Sequence, residues 1–221
     1  MNLDWKYENI PTPKTDEDYK KLIDAVFNQR LRWIKDYPRW NKIEDRNDLT
    51  LREIYVNNSD FPIYCTSGIL HNVNIDDIAK LFYNSEYEEK KVIFEDLISQ
   101  EITNLKEIKN AHVINSKYSA SFGVSNREIL GVKAIRKYDT GGYFIVVQSI
   151  NKESIPFSNL YVRAIAQCAT VLRPINDDKD VEIININHID PKGWIPSFLV
   201  TMFRNKQFTS IEKIQEIYGK K

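Results

Sequence analysis

The sequence predicts an α+β fold, a curved antiparallel β-sheet wrapped around one long C-terminal α-helix. Three observations predict it. Helical periodicity is confined to the two ends and one short central stretch. The runs between them are rich in β-branched and aromatic residues and are joined by short turns, which suits antiparallel pairing better than crossovers. The last segment carries a long apolar face, and a sheet of this size leaves room that one helix does not fill. The resulting gap is expected to form an apolar cavity suited to ligands with long hydrocarbon parts.

In chain order, Thr15-Asp-Glu-Asp18 reads as a helix start, a hydroxyl cap followed by acids. Tyr19, Leu22, Ile23, Val26, Phe27, Arg30, Trp33 and Ile34 then recur at helical spacing, giving a helix over about 15–36 that Pro38 closes. Leu51–Val56 and Phe61–Thr66 read as strands separated by the hairpin-like Asn57-Asn-Ser-Asp60. Asn74 caps a second helix with Ile75, Ile78, Ala79, Leu81 and Phe82 on its apolar side. Glu86–Asp96 is so charged that it reads as a solvated connection. Strands are expected at Glu101–Ile108, His112–Tyr118, Ile129–Arg136, Tyr143–Ile150, Tyr161–Leu172 and Val181–Ile189, with turns at Asp139–Gly142 and Asn176–Asp180. The final helix spans about 196–218, with Pro196 tolerated in its first turn. No internal repeat interrupts this order, so residues 1–221 read as a single domain.

Composition excludes several functions. Lys plus Arg and Asp plus Glu are both 31, so no net charge draws the 221-residue chain to nucleic acid. Cys65 and Cys168 stand far apart and read as two thiols packed like small hydrophobes, in a reducing compartment. His71, His112 and His188 are scattered, without the spacing of a metal site. No G-x-S-x-G, Walker or G-x-G-x-x-G pattern occurs, and no cofactor is expected. No apolar run approaches the ~20 residues of a spanning helix, and the N-terminal residues do not read as a signal peptide. The expected location is the cytoplasm.

The C-terminal half carries a series of motifs in order. They are Arg127-Glu-Ile-Leu130, Tyr143 to Ile150 ending in Gln-Ser-Ile, Tyr161-Val-Arg-Ala164, Leu172-Arg-Pro174, and His188-Ile-Asp-Pro-Lys-Gly-Trp-Ile-Pro196. Together they resemble START, the steroidogenic acute regulatory protein-related lipid-transfer family. Tyr87-Glu88 stands where the family usually has Trp-Asp, and Lys133 where Arg is common in sterol-binding members. The resemblance implies a helix-grip fold, a lipid-sized tunnel and no catalysis.

A headgroup needs a few polar side chains in an apolar wall. Period-two alternation groups Ile129, Gly131, Lys133 and Ile135 on one strand face, and Arg163, Ile165, Gln167 and Ala169 on another. Lys133, Arg163 and Gln167 are therefore the candidate headgroup contacts. Phe198, Leu199, Met202 and Phe203 on the last helix are the candidate tunnel wall. The loop Ser119–Asn126, with Phe122, Gly123 and Val124 at its centre, resembles the family loop that abuts the last helix, and is the candidate lid. Asp190–Gly193 reads as a turn, with Trp194 plugging the barrel end.

The function that follows is binding of a single lipid (phospholipid, sphingolipid or sterol) and its transfer between intracellular membranes, with transient contact to a membrane surface. The chain is expected to act as a monomer. A lipid-sensing module that regulates a protein partner stays open, as does a helix-grip enzyme acting on a hydrophobic substrate.

Overall fold

In the computed structural model the described residues are 10–56, 59–120, 123–177 and 179–219, excluding the side chains of 197 and 198. Helix α1, Asp16–Asp36, starts on a full capping box: the Thr15 hydroxyl accepts from the Asp18 N–H, and the Asp18 carboxylate accepts from the Thr15 N–H. Its buried face is the one that the periodicity marks, Tyr19, Ile23, Val26, Phe27, Arg30, Trp33 and Ile34. A 3-10 turn at Tyr37–Arg39, with Pro38 at its start, ends the helix.

The strands are β1 (Asn41–Arg46), β2 (Leu49–Ile54), β3 (Ile63–Leu70), β4 (Leu97–Asn104), β5 (Ala111–Tyr118), β6 (Arg127–Lys137), β7 (Tyr143–Ser149), β8 (Val162–Arg163), β9 (Ile165–Ile175) and β10 (Asp180–Asp190). They form one curved sheet in the order β1-β2-β3-β10-β9-β7-β6-β5-β4, antiparallel throughout, with the short β8 added parallel to β6. Helix α2 is Ile75–Tyr83, α3 is Tyr87–Ile93 and α4 is Ser197–Tyr218.

Both faces of the central strands are buried. One packs against α1, where Phe27 meets Phe144 edge to face at 5.0 Å and Leu130, Val132, Ala169, Ile184 and Ile186 complete the layer. The other is gripped by α4, whose C-terminal half inserts Phe208, Ile211 and Ile214 among Leu49, Leu51, Leu70, Leu81 and Ile93. Each of those three side chains is fully buried, and burial of one such side chain contributes about 1.5–3 kcal/mol. That half of α4 anchors it. Gly68 lets the β1–β2 turn approach, since a Cβ there would stand 2.0 Å from the Asp48 carbonyl oxygen.

Five sequence expectations change. Strand β1 was not anticipated, because an edge strand carrying Lys42, Glu44, Asp45 and Arg46 has no apolar alternation to reveal it. Strand β4 begins at Leu97, and the run expected from Tyr161 to Leu172 is broken at Ala164 into β8 and β9. The charged stretch 86–96 is not merely a solvated connection: it holds α3, with Lys90 and Ile93 buried. Trp194 is 75% exposed and plugs nothing. Residues 57 and 58 of the expected β2–β3 turn lie outside the described residues.

Candidate functional site

Between the sheet and the N-terminal half of α4 lies a cavity of about 1230 Å³. It exists because the strands beneath α4 present small side chains. Ala164, Ala166, Cys168 and Thr170 form the β8–β9 part of the floor, flanked by Ile129, Ile145, Val147 and Ile189. Leu199, Met202 and Phe203 form the roof, with Ile114, Tyr118 and Ile93 along the side. A polar stripe crosses this surface. The Thr170 hydroxyl donates to Asn185 at 3.0 Å, and the Asn187 amide donates to the Gln207 side chain at 2.9 Å.

Two buried lysines are among the residues that line the cavity. Lys133 on β6 is 7% exposed and donates to the Phe82 carbonyl at 2.8 Å; Lys90 on α3 is 3% exposed and donates to Gln100 Oε1 at 2.6 Å. Gln100 is held in turn by donating to Ser116 Oγ at 2.9 Å. Burial first, then the charge of Lys90, pushes the Lys133 ammonium down to about 7. Burial also pulls Lys90 down to about 8, against an opposing pull from Glu86 and Glu89. His112 pairs across the strands with Lys133 and stacks near Tyr83 at 4.6 Å. Burial first, then Lys133 and Lys90, depress His112 to about 4, so it is neutral at physiological pH.

The other end of β6 carries the mouth. Lys133 stands six positions along the strand from Arg127, roughly 20 Å. The Arg127 guanidinium donates to the carbonyls of Ser125, Pro191 and Lys192, tying the loop before β6 to the segment before α4. Ala120, Val124, Pro191 and Ile195 line the cavity here. Further along, α4 is latched by Lys206–Asp96 at 2.7 Å and by Lys213–Glu95.

Of the residues proposed from sequence, Lys133, Leu199, Met202, Phe203 and Val124 line the cavity. Met202 is also 41% exposed, so the roof reaches the surface. Gly123 has a left-handed φ of 73° and sits in open space. Phe122 and the Phe198 side chain lie outside the described residues. Arg163 and Gln167 are corrections. Ala164, Ala166, Cys168 and Thr170 take the cavity side, so the alternate positions point toward α1. Arg163 is buried there in an ion pair with Glu128 at 2.9 Å, and its Nη2 also donates to the Pro156 carbonyl at 3.1 Å. Gln167 is buried on the same side, opposite His188 and Gln148 in the ladder.

Sequence reasoning missed Lys90, Gln100, Arg127, Asn185, Asn187 and Gln207. The alternation Ile184-Asn-Ile-Asn187 was a usable signal, since two asparagines on one face of a central strand mark a polar line in a buried wall. Lys90 gave no signal, being one of seven charged residues between Glu86 and Asp96.

Comparisons with known proteins agree with this architecture. Human StAR-related lipid transfer protein 5 superposes with a TM-score of 0.79 at 14% identity, covering 90% of this chain and 95% of that one. Human STARD10 gives 0.73 at 16% identity, covering 96% and 82%. A STAR-related lipid transfer protein fragment from Xanthomonas axonopodis gives 0.67 at 20% identity, covering 82% and 99%. No curated protein matches the chain significantly by sequence. The START domain profile matches residues 29–209, which include the whole sheet and most of α4, and the chain therefore belongs to the START domain family.

Proposed function

We propose that this START domain holds one lipid in the cavity under α4 and carries it between membranes. The observation that supports this reading is the cavity itself: about 1230 Å³, above the roughly 300–1,000 Å³ of ordinary small-molecule sites. Its floor and roof are predominantly apolar. Moving an acyl chain from bilayer to water costs about 0.8 kcal/mol per CH₂, on the order of 12 kcal/mol for a chain of about 16 carbons. A cavity walled by Ile129, Ile145, Ile189, Leu199 and Phe203 replaces the bilayer interior, so the exchange becomes nearly isoenergetic. Its rate is then set by movement of α4 and the mouth loop. The reading assigns no chemical step to the cavity side chains.

Delivery needs a surface that meets the bilayer. Phe157, Leu160 and Trp194 are 69%, 79% and 75% exposed. Their segments adjoin, because a Cβ on Gly193 would stand 3.7 Å from Val162 Cγ1. Arg127 connects the same region to the mouth. We read this patch as the transient membrane contact of a monomeric, cytoplasmic carrier. The two free cysteines, Cys65 and Cys168, suit a reducing compartment.

Lipid extracted from the purified protein and identified by mass spectrometry, together with a vesicle-to-vesicle transfer assay, tests the proposal. One co-purified lipid per chain and accelerated transfer are expected. A chain that retains no lipid and transfers none is not a carrier.

A further inference from the structure

Resting on the carrier reading, we infer that the lipid bound in this cavity bears a net negative head, a carboxylate or a phosphate, received between Lys133 and Lys90. The two ammonium groups come from separate elements, β6 and α3, and both line the cavity while less than a tenth exposed. Each is given one neutral hydrogen-bond acceptor, the Phe82 carbonyl for Lys133 and Gln100 Oε1 for Lys90. Among the described residues no carboxylate forms an ion pair with either. Buried cations are ordinarily paired, and a buried charge without a partner is costly. Arg163, buried on the other side of the sheet, is closed on Glu128 in that way.

Among the described residues, the groups packed around the lysines place no anion within ion-pair distance of either ammonium. On α3, Glu89 is engaged by Lys80 at 3.1 Å, and Glu86 and Glu89 reach Lys90 only as distant charges. From β5 comes His112, neutral and with a buried Nε2 that has no hydrogen-bond partner. From β9 comes the Cys168 thiol, raised to about 11, and from α2 the raised Tyr83 phenol. A sterol hydroxyl would bring no counter-charge to either lysine. A zwitterionic head would bring a third cation beside the two lysines. Of the carboxylates that line the cavity, Asp48, Glu95, Asp96 and Glu212 are already engaged by His71, Lys213, Lys206 and Arg46, while Glu216 is exposed. An anionic oxygen pair satisfies both lysines, with its hydrocarbon chain lying along β6 toward Arg127.

Because burial holds the two lysines at about 7 and about 8, an anion entering between them is accompanied by proton uptake. Its affinity therefore falls as pH rises above that range.

The test uses the delipidated full chain and equilibrium binding of oleate, oleyl alcohol, phosphatidate, phosphatidylcholine and cholesterol at neutral pH. At least one of oleate and phosphatidate is expected to bind tenfold or more tightly than every uncharged or zwitterionic probe. Which of the two prevails assigns the carboxylate or the phosphate source. Lys133→Met and Lys90→Met should each weaken the anionic probe at least tenfold and leave oleyl alcohol unchanged, while Lys133→Arg retains binding. Thermal unfolding of each variant verifies its fold. Phosphatidylcholine or cholesterol binding as tightly as the anions, or lysine variants that do not discriminate, would overturn the inference and leave the carrier reading standing. Failure of all five probes overturns both.

Discussion

Replacing Lys133 with methionine should stabilise the lipid-free protein at neutral pH and destabilise it at high pH. Burial holds the Lys133 ammonium at about 7 against an ordinary 10.5, which corresponds to about 5 kcal/mol of native-state penalty. Below about pH 7 the lysine is charged in both folded and unfolded chains, and the penalty is present in full. Between 7 and 10.5 the unfolded chain binds a proton that the folded chain does not, so stability rises with pH. Above 10.5 the amine is neutral in both states and the penalty is gone. Methionine removes the penalty but strands the Phe82 carbonyl, one of the last of α2, at about 1–3 kcal/mol. The net gain at pH 7 is then on the order of 2–4 kcal/mol, roughly 5–15 °C in Tm for a chain of this size. Near pH 10.5 only the stranded carbonyl is left, and the variant is the less stable by about 1–3 kcal/mol. Thermal unfolding of delipidated wild type and variant, followed by circular dichroism from pH 7 to 10.5, reads the crossover. Melting curves that shift in parallel over that range would refute the reasoning, for they would mean that Lys133 is hydrated in the folded state.

Other perturbations test other parts of the structure. Glu128→Gln leaves Arg163 buried without its counter-charge and should cost about 3–5 kcal/mol in urea unfolding; a loss under 1 kcal/mol would show that the Pro156 carbonyl suffices. Phe208→Ala opens a void where α4 is anchored and should cost about 3–5 kcal/mol by the same measurement. Trp33 and Trp40 are 1% and 4% exposed whereas Trp194 is 75% exposed. In a Trp5→Phe background, which removes the fourth tryptophan, added vesicles should therefore shield Trp194 fluorescence from iodide, and Trp194→Ala should slow transfer without changing the lipid bound. Unaltered transfer would remove Trp194 from the membrane contact.

The fold was legible because its signals are local. The Thr15–Asp18 box, the periodic face of α1 and the Asn74 cap are each contained within a few residues, and each forms as the chemistry requires. The site was legible only in part, and strand parity shows why. Arg163, Ile165, Gln167 and Ala169 do share a face, as alternation demands, but it is the α1 face. In a half-exposed strand the polar side identifies itself. Here Ile165 and Ala169 are buried on one side, and Ala164 and Ala166 on the other. A strand covered on both faces carries no sign of which is inward. Lys90 was hidden for the opposite reason: it stands in a charged stretch whose neighbours are exposed, and only the packing of α3 against β4 turns it inward.

Burial alone therefore does not separate structural cations from those of the cavity, because the sheet buries positive charge on both sides. What separates them is the partner that the protein provides. On the α1 side Arg163 has a carboxylate, and Arg30 spreads its charge over several partners, donating to Gln29 Oε1 at 2.5 Å and Gln148 Oε1 at 2.8 Å and lying 4.1 Å over the Trp33 ring. On the cavity side Lys133 and Lys90 each have a single neutral oxygen. A buried cation held by several partners stabilises one arrangement and gains little from a ligand. An under-partnered one favours whatever brings the missing charge, and it favours it most where an apolar wall keeps water out. The small residues at 164, 166, 168 and 170 keep α4 from filling the space beside those lysines. The space and the charge deficit thus arise on the same side of the sheet, and a charged head attached to a hydrocarbon chain meets both.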